Sequence, residues 1–278
     1  MRALEPEVFD AVWEAVRWLL PPRDRSHPLG CHRPRIPDRV CFRGLMIRLV
    51  TGASWVDVEA IMGFEVSDTT LRARRGEWVA AGVFDRLCAE ALEGFDRIAG
   101  LDLSEVGLDG SLHKAPCGGE DTGPNPTDRA KLGWKWSVAS DRNGVPVGWA
   151  IDGANRNDVR LLEPTLEAVA ANGLLEDIET LHLDRDYDYP VVRDRLAALG
   201  LHDVCIQRRG AKTPKARQPV HLKMRWIVES TNSWLSNYGQ LRRNTDRRSA
   251  HRHAALCLAT SVLTASKLLN HRDRWNPK

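Results

Sequence analysis

Three acids in this 278-residue chain stand where a carboxylate could do chemistry: Asp109 in VGLDGS, Asp184 in LHLDRDYDY and Glu229 in RWIVESTNSWL. Carboxylates are hard oxygen ligands, and two or three suffice to hold magnesium, which keeps several of its waters. Catalysts of phosphodiester cleavage hold two such ions roughly 3.5–4 Å apart, one activating the nucleophile and one stabilising the leaving oxygen. The three acids are distant in sequence, so any shared chemistry requires a fold that brings them together. Each alone is weak evidence, because a lone surface acid is usually just solvated. Asp186 and Asp188 share the Asp184 loop and compete with it; the end-of-strand position favours Asp184.

The elements that must carry these acids are legible from periodicity. Lys223 to Tyr238 predicts an amphipathic helix with Ile227, Thr231, Trp234, Leu235 and Tyr238 on one side. Arg225, Asn232, Ser233 and Ser236 gather on the opposite, polar side with Glu229. Glu105 to Ser111 predicts a strand with Asp109 at its end, and Ile178 to Leu183 a strand that delivers Asp184. Trp134–Ser140 and Val145–Ile151 predict two more strands, joined by the hairpin signal Asp141-Arg-Asn-Gly144. Helices are expected over 158–171, with Pro164 near its first turn, over 190–199, and over 249–269; a fifth strand spans 203–207. An acid on the first strand, one on the fourth and one on a later helix is the topology of RNase H-like nucleases and integrases. His113 and His182 read as structural residues near these acids, and Trp134, Trp136 and Trp149 as core.

Residues 1 to about 100 read as helices: 6–20, closed by Pro21-Pro22, then 39–50, 55–62 capped by Ser54, and 69–81 capped by Ser67 or Asp68. A Pro/Arg/His-rich loop is expected over 23–38. The last two helices flank Gly63 in the layout of a helix-turn-helix, whose second helix would present Arg72, Arg74 and Arg75 to DNA. A solvated basic face accounts for the same pattern equally well. The expected organisation is a helical DNA-binding domain, 1–100, ahead of an α/β domain, 101–278.

Charge divides the chain. From Arg208 onward there are 16 Lys/Arg against three acids, whereas the net charge of the whole is only +3. Such a basic C-terminal third suggests a polyanionic partner. Lys131, Lys135, Arg208, Arg209, Lys212, Lys215, Arg242, Arg243, Arg247 and Arg248 are candidates for salt-sensitive phosphate contacts. No run of about 18 apolar residues predicts a membrane span, and the acidic start, Glu5, Glu7 and Asp10, is unlike a signal peptide. The six cysteines are scattered, with no CxxC and no histidine pairing at zinc-ligand spacing, as expected of free thiols in a reducing cytoplasm.

With these residues in view, the chain resembles the DDE transposases of insertion sequences, in particular the insertion-sequence-five group, over nearly its whole length. The resemblance is carried by DRVCFRGLMIRLVTGASW, SDTTLRARRGEWVAAGVFDRL, VGLDGS, TGPNPTDRAKLGWKWSVASDRNGVPVGW, GANRNDVRLLEPTL, LHLDRDYDY, RWIVESTNSWL and LRRNTDRR. It implies an RNase H-like mixed sheet flanked by helices, with Asp109, Asp184 and Glu229 as catalytic and metal-binding acids. It further implies two Mg²⁺ ions, for which Mn²⁺ can substitute, and cleavage of double-stranded DNA at transposon ends followed by strand transfer to target DNA. A bacterial cytoplasmic protein, bound to the nucleoid and acting as a dimer or higher oligomer on DNA, goes with that reading. The family's Tyr-x2-Arg-x3-Glu-x6-Lys signature is met by Arg225 and Glu229, while Leu222 and Ser236 stand at its Tyr and Lys positions. Asp186 replaces the glycine of the usual Asp-x-Gly-Tyr-Asp. These departures motivate an alternative, a transposase-derived DNA-binding protein that no longer cuts.

Overall fold

Helix boundaries in the first hundred residues follow from their capping chemistry. The computed structural model describes residues 3–22, 35–206 and 222–275. α1 (Pro6–Val16) has its proline in the first turn, where a missing N–H costs nothing, and buries Val8, Val12 and Val16. α2 (Asp38–Thr51) ends at Gly52, whose φ of 71° is the left-handed cap that favours glycine. α3 (Trp55–Ile61) and α4 (Asp68–Ala80) each begin after a serine whose hydroxyl accepts from the N–H three residues on, Ser54 from Asp57 and Ser67 from Thr70. α5 (Val83–Ala99) completes the series. Most of the loop expected over 23–38 lies outside the described residues.

The α/β part runs β1 (Glu105–Lys114), β2 (Gly123–Pro124), β3 (Leu132–Ser140), β4 (Pro146–Gly153), α6 (Val159–Ala171), β5 (Thr180–Leu183), α7 (Pro190–Ala198) and β6 (Val204–Ile206). α8 (Leu222–Ser236), the short α9 (Gly239–Arg242) and the long α10 (Ser249–Trp275) follow. β1 is the pivot of one mixed sheet, antiparallel to β3 on one side and parallel to β5 on the other. β4 continues the sheet beyond β3, and β6 beyond β5. The β3–β4 hairpin is fixed by Asp141, a fully buried carboxylate that accepts from the N–H groups of Asn143, Val145 and Asp102. Gly144 in that turn has φ 71°.

Side chains alternate across the sheet. Val106 and Leu108 of β1 and Leu181 and Leu183 of β5 pack under α6 and α7. Trp134, Trp136 and Val138 of β3 face the other way, into a core shared with α1, α2, α4, α8 and α10. The sequence division at residue 100 is therefore not a division of cores: the N-terminal helices and the C-terminal helix bury one continuous apolar mass. α10 packs along α5 for much of its length.

Three expectations about these elements need correction. Asp109 is not at the end of its strand, because β1 continues to Lys114, pairing with β3 as far as Gly133. Pro164 is inside α6 rather than in its first turn. Asn232, assigned to the polar stripe of α8, is buried, because the indole N–H of fully buried Trp136 needs an acceptor and finds Asn232 Oδ1 at 2.8 Å.

Candidate catalytic site

Strand register places two of the three acids. β1 and β5 pair in parallel from Glu105↔Thr180 to Gly107↔His182. Continuing that register by two residues sets Asp109 beside Asp184, where the pairing has ended and the strands are free to separate. In parallel strands at matched register, side chains share a face. That face is the one covered by α8, since Asp109 pairs with Val138 and Ser111 with Trp136 on β3. Asp184 caps a one-turn 3₁₀ helix (Arg185–Tyr187) and accepts from Asp186 N–H at 2.7 Å. Asp186 is not among the residues with positive φ, so the turn takes an aspartate where the family has glycine without left-handed strain.

The third acid is positioned by helix rotation. α8 packs on β1, β3 and β5. Its docked face is Val228, Thr231, Asn232 and Leu235, locked by Asn232 to Trp136 and by the Thr231 hydroxyl donating to Gly144 O at 3.1 Å. Glu229 lies one turn before Asn232 and remains exposed.

Electrostatics tie the three together. Burial lifts the Asp109 carboxyl to about 6; the N–H of Gly110 opposes this, and the like charges of Asp184, Asp158 and Glu229 add to it. Their oxygens do not close into one tight ligand cluster within 4.8 Å, as a different group of described residues does. Two hydrated ions need more room than one dry ion. The donor set, carboxylate oxygens only, fits a hard divalent cation and not a thiophilic one.

The raised Asp109 value has a measurable consequence. In the folded chain the neutral acid is favoured over what an unfolded aspartate shows, so this contribution to stability is complete below about pH 4 and is lost as pH rises through about 6. Asp109→Asn, which mimics the neutral acid, should stabilise the metal-free protein at pH 8 by on the order of 2 kcal/mol. The gain should vanish below about pH 4, as read from thermal unfolding in chelator.

Behind the site, Gly110 serves close approach. A Cβ there would lie 2.3 Å from Asp158 Oδ1. That oxygen accepts from the buried Lys135 ammonium at 2.7 Å, and Lys135 also donates to Arg156 O. Lys135 is thus a structural cation, not the phosphate contact expected of it. Gly110→Ala should displace Asp158 from Lys135 and cost about 1–3 kcal/mol in denaturant titration. Sequence reasoning missed Asp158; the signal was GANRND, set at the start of α6. His113 stacks on Trp136 at 3.7 Å between centroids, and burial lowers it to about 3, so it is a neutral packing residue.

The expected DNA contacts divide sharply. Arg74 is 4% exposed and donates to Asp38 and Ile36 O, so it holds α4 to α2 and is not available to DNA. Arg75 is likewise turned inward, to Asp246 at 2.6 Å and over the Trp55 ring. The physical reason is that α4 has a helical layer on both flanks, and only Thr69, Arg72 and Ala73 look outward near its start. Arg72 is exposed, in an i,i+4 ion pair with Asp68 at 3.0 Å. Lys131, Arg242, Arg243, Arg247 and Arg248 are exposed. Arg243 bridges to Lys114 at the far end of β1, which brings it to the sheet edge where Lys114 emerges. Arg208, Arg209, Lys212, Lys215 and the side chain of Arg225 lie outside the described residues.

Sequence-family profiles match both parts of the chain. One, described as "Putative transposase of IS4/5 family", covers residues 8–88; another, "Transposase DDE domain", covers 104–264. A protein of Burkholderia cepacia, "Putative transposase for insertion sequence element IS402", is 35% identical over 158 residues, 55% of this chain and 72% of that relative. A second from the same organism, "Insertion element IS402 uncharacterized 16.2 kDa protein", is 31% identical over 122 residues, 44% of this chain and 82% of the relative. Among solved structures, the "Mos1 transposase paired-end complex with left transposon end" overlaps 88% of this chain and 82% of its own at 13% identity. Its TM-score of 0.27 marks a loose superposition.

Proposed function

Since the chain belongs to the insertion-sequence DDE transposases, we propose that Asp109, Asp184 and Glu229 form its catalytic centre, acting on the ends of its own element. The enzyme is a DNA transposase. What supports the residue assignment is the β1–β5 register, which, extended by two residues, brings Asp109 abreast of Asp184 on the sheet face that α8 packs against, with the charge of Glu229 felt at Asp109.

Asp109, Asp184 and Glu229 would hold two Mg²⁺ ions, with Mn²⁺ as a substitute. Bound there, such ions supply Lewis acidity to the scissile phosphate and make water a stronger nucleophile. The chain's own residues do the positioning. The Gly110 N–H fixes one Asp109 oxygen and the Asp186 N–H one Asp184 oxygen, which sets the orientation of each carboxylate. Asn232 and Thr231 hold the rotation of α8, the helix that carries Glu229. Water attack breaks the phosphodiester at the element's end and frees a 3′-OH. That hydroxyl then attacks a target phosphodiester, forming one P–O bond as another breaks.

Double-stranded DNA would lie along the basic rim formed by Lys131, Arg242 and Arg243, with Arg72 of α4 as a separate contact from residues 1–100; Arg208, Arg209 and the side chain of Arg225 stay candidates from the sequence alone and lie outside the described residues. Two transposon ends require two copies of the chain, so a dimer or larger oligomer on DNA goes with this reading. Among the described residues no helix is long and apolar enough to cross a membrane.

The test is nicking of a duplex carrying the element's terminal inverted repeats, with Mg²⁺ or Mn²⁺ present and with both removed by chelator. Metal-dependent cuts at the repeat boundary support the reading; repeat-specific binding without any metal-dependent product sinks it.

A further inference from the structure

Away from the three acids, α5 and α10 bring together a second set of chemically capable side chains. Asp85 and Cys88 lie one turn apart on α5, and His253 and Cys257 one turn apart on α10. His253 Nε2 is 2.9 Å from Asp85 Oδ1, and Cys257 Sγ is 3.8 Å from the same oxygen. The ligand atoms of Asp85, His253 and Cys257 all lie within 4.8 Å of one another. Cys88 is buried beside them, its thiol interacting with that of Cys257 while donating to Phe84 O at 2.9 Å.

We infer that Asp85, His253 and Cys257, with Cys88 as fourth ligand, form a zinc site that joins α5 to α10. Tetrahedral zinc with bonds of about 2.0–2.3 Å places its ligand atoms roughly 3.3–3.8 Å apart, close to the spacings seen here. Two sulfurs, one imidazole and one carboxylate suit zinc and not the magnesium proposed for the all-oxygen site. Cys88 reaches the ion by turning its thiol away from the Phe84 carbonyl. Zinc takes cysteine as the thiolate, so binding expels a proton from each thiol that ligates it. A cavity of about 230 Å³, lined by these four residues together with Trp149 and Thr260, gives an ion its way in.

The site is structural in kind, because four protein ligands leave no open position. Its consequence is mechanical. α5 is the last of the N-terminal helices and α10 the last described helix, so the ion would fasten the layer bearing Arg72 to the half bearing the acids. This corrects the sequence expectation of free thiols with no histidine at zinc-ligand spacing: His253 and Cys257 are four residues apart, and the pair gains meaning only when α5 supplies the other two ligands.

Metal content of the purified full-length chain, grown with zinc and handled without chelator, decides the matter. Stoichiometric zinc is expected, and replacement by Co²⁺ should give a thiolate-to-metal absorption band. His253→Gln and Cys257→Ser should each weaken zinc binding at least about tenfold, whereas Asp109→Asn with Glu229→Gln should leave it intact. Asp85→Asn, at an exposed position, reports on the site should Cys257→Ser fail to fold. Wild-type protein lacking both zinc and the cobalt band overturns the inference. So does His253→Gln that retains its zinc, or a Cys88–Cys257 disulfide in the native protein.

Discussion

Glu229→Gln is expected to reduce metal-dependent cleavage of transposon-end DNA by about a thousandfold or more, with DNA binding kept. The substitution preserves the size of the side chain and removes one negative charge. Charge is what the site is built from: Asp109 lies under the influence of Asp184, Asp158 and Glu229, a crowding that a protein tolerates where cations relieve it. Loss of one anionic ligand costs several kcal/mol of transition-state charge stabilisation, and each 1.36 kcal/mol is a factor of about ten in rate. Asp109→Asn and Asp184→Asn should fall by similar factors, and pairs of substitutions should be little worse than singles, because residues that act as a unit are not additive. Single-turnover cleavage in Mg²⁺, beside a gel-shift assay of the same duplex, separates chemistry from binding. Cleavage at the wild-type rate by any of the three variants would remove that residue from the centre.

Asp246→Ala should be among the most destabilising single changes in the molecule, by about 3–5 kcal/mol. Asp246 is 5% exposed and accepts from Arg75 at 2.6 Å and Gln240 at 2.9 Å, with Arg48 3.6 Å away. Arg48 and Arg75 both lie over the ring of Trp55, at 4.3 and 4.7 Å. Removing the carboxylate would leave two inward-turned guanidinium groups without their anion. Burial works against the ionised Asp246, yet Arg75 and Arg48 hold its carboxyl below the ordinary range. A depressed acid contributes stability above its unfolded value and loses it as pH falls through the folded one. The gap between wild type and variant in denaturant titrations should therefore be full at neutral pH and close in strong acid. A variant that unfolds like wild type at pH 7 would show that the cluster holds nothing together.

That cluster also explains LRRNTDRR. Its arginines at 242, 243, 247 and 248 face solvent, while Asn244 and Asp246 between them are buried, Asp246 against arginines of α2, α4 and α10. From sequence the segment is a basic run with an acid in it. Only the fold shows that the acid is the anchor and the cations are what it displays.

What the sequence determined by itself was local and patterned. Serines at 54 and 67 and glycines at 52 and 144 punctuate their elements because cap and turn chemistry acts over three or four residues. The alternation in VGLDGS and LHLD marks strands, and family motifs singled out Asp109, Asp184 and Glu229. Tertiary structure decided everything that depends on a partner distant in the chain. Arg74, Arg75 and Lys135 read as DNA-facing cations, yet Asp38, Asp246 and Asp158 had already claimed them. A charge carries no sequence mark of whether its counter-ion is water, phosphate or a carboxylate elsewhere in the chain. Asn232 read as polar and exposed because the Trp136 indole that needs it is supplied by β3. Asp109, Asp184 and Glu229 could be chosen from sequence, but whether they meet depends on strand register and helix rotation, which no single segment encodes.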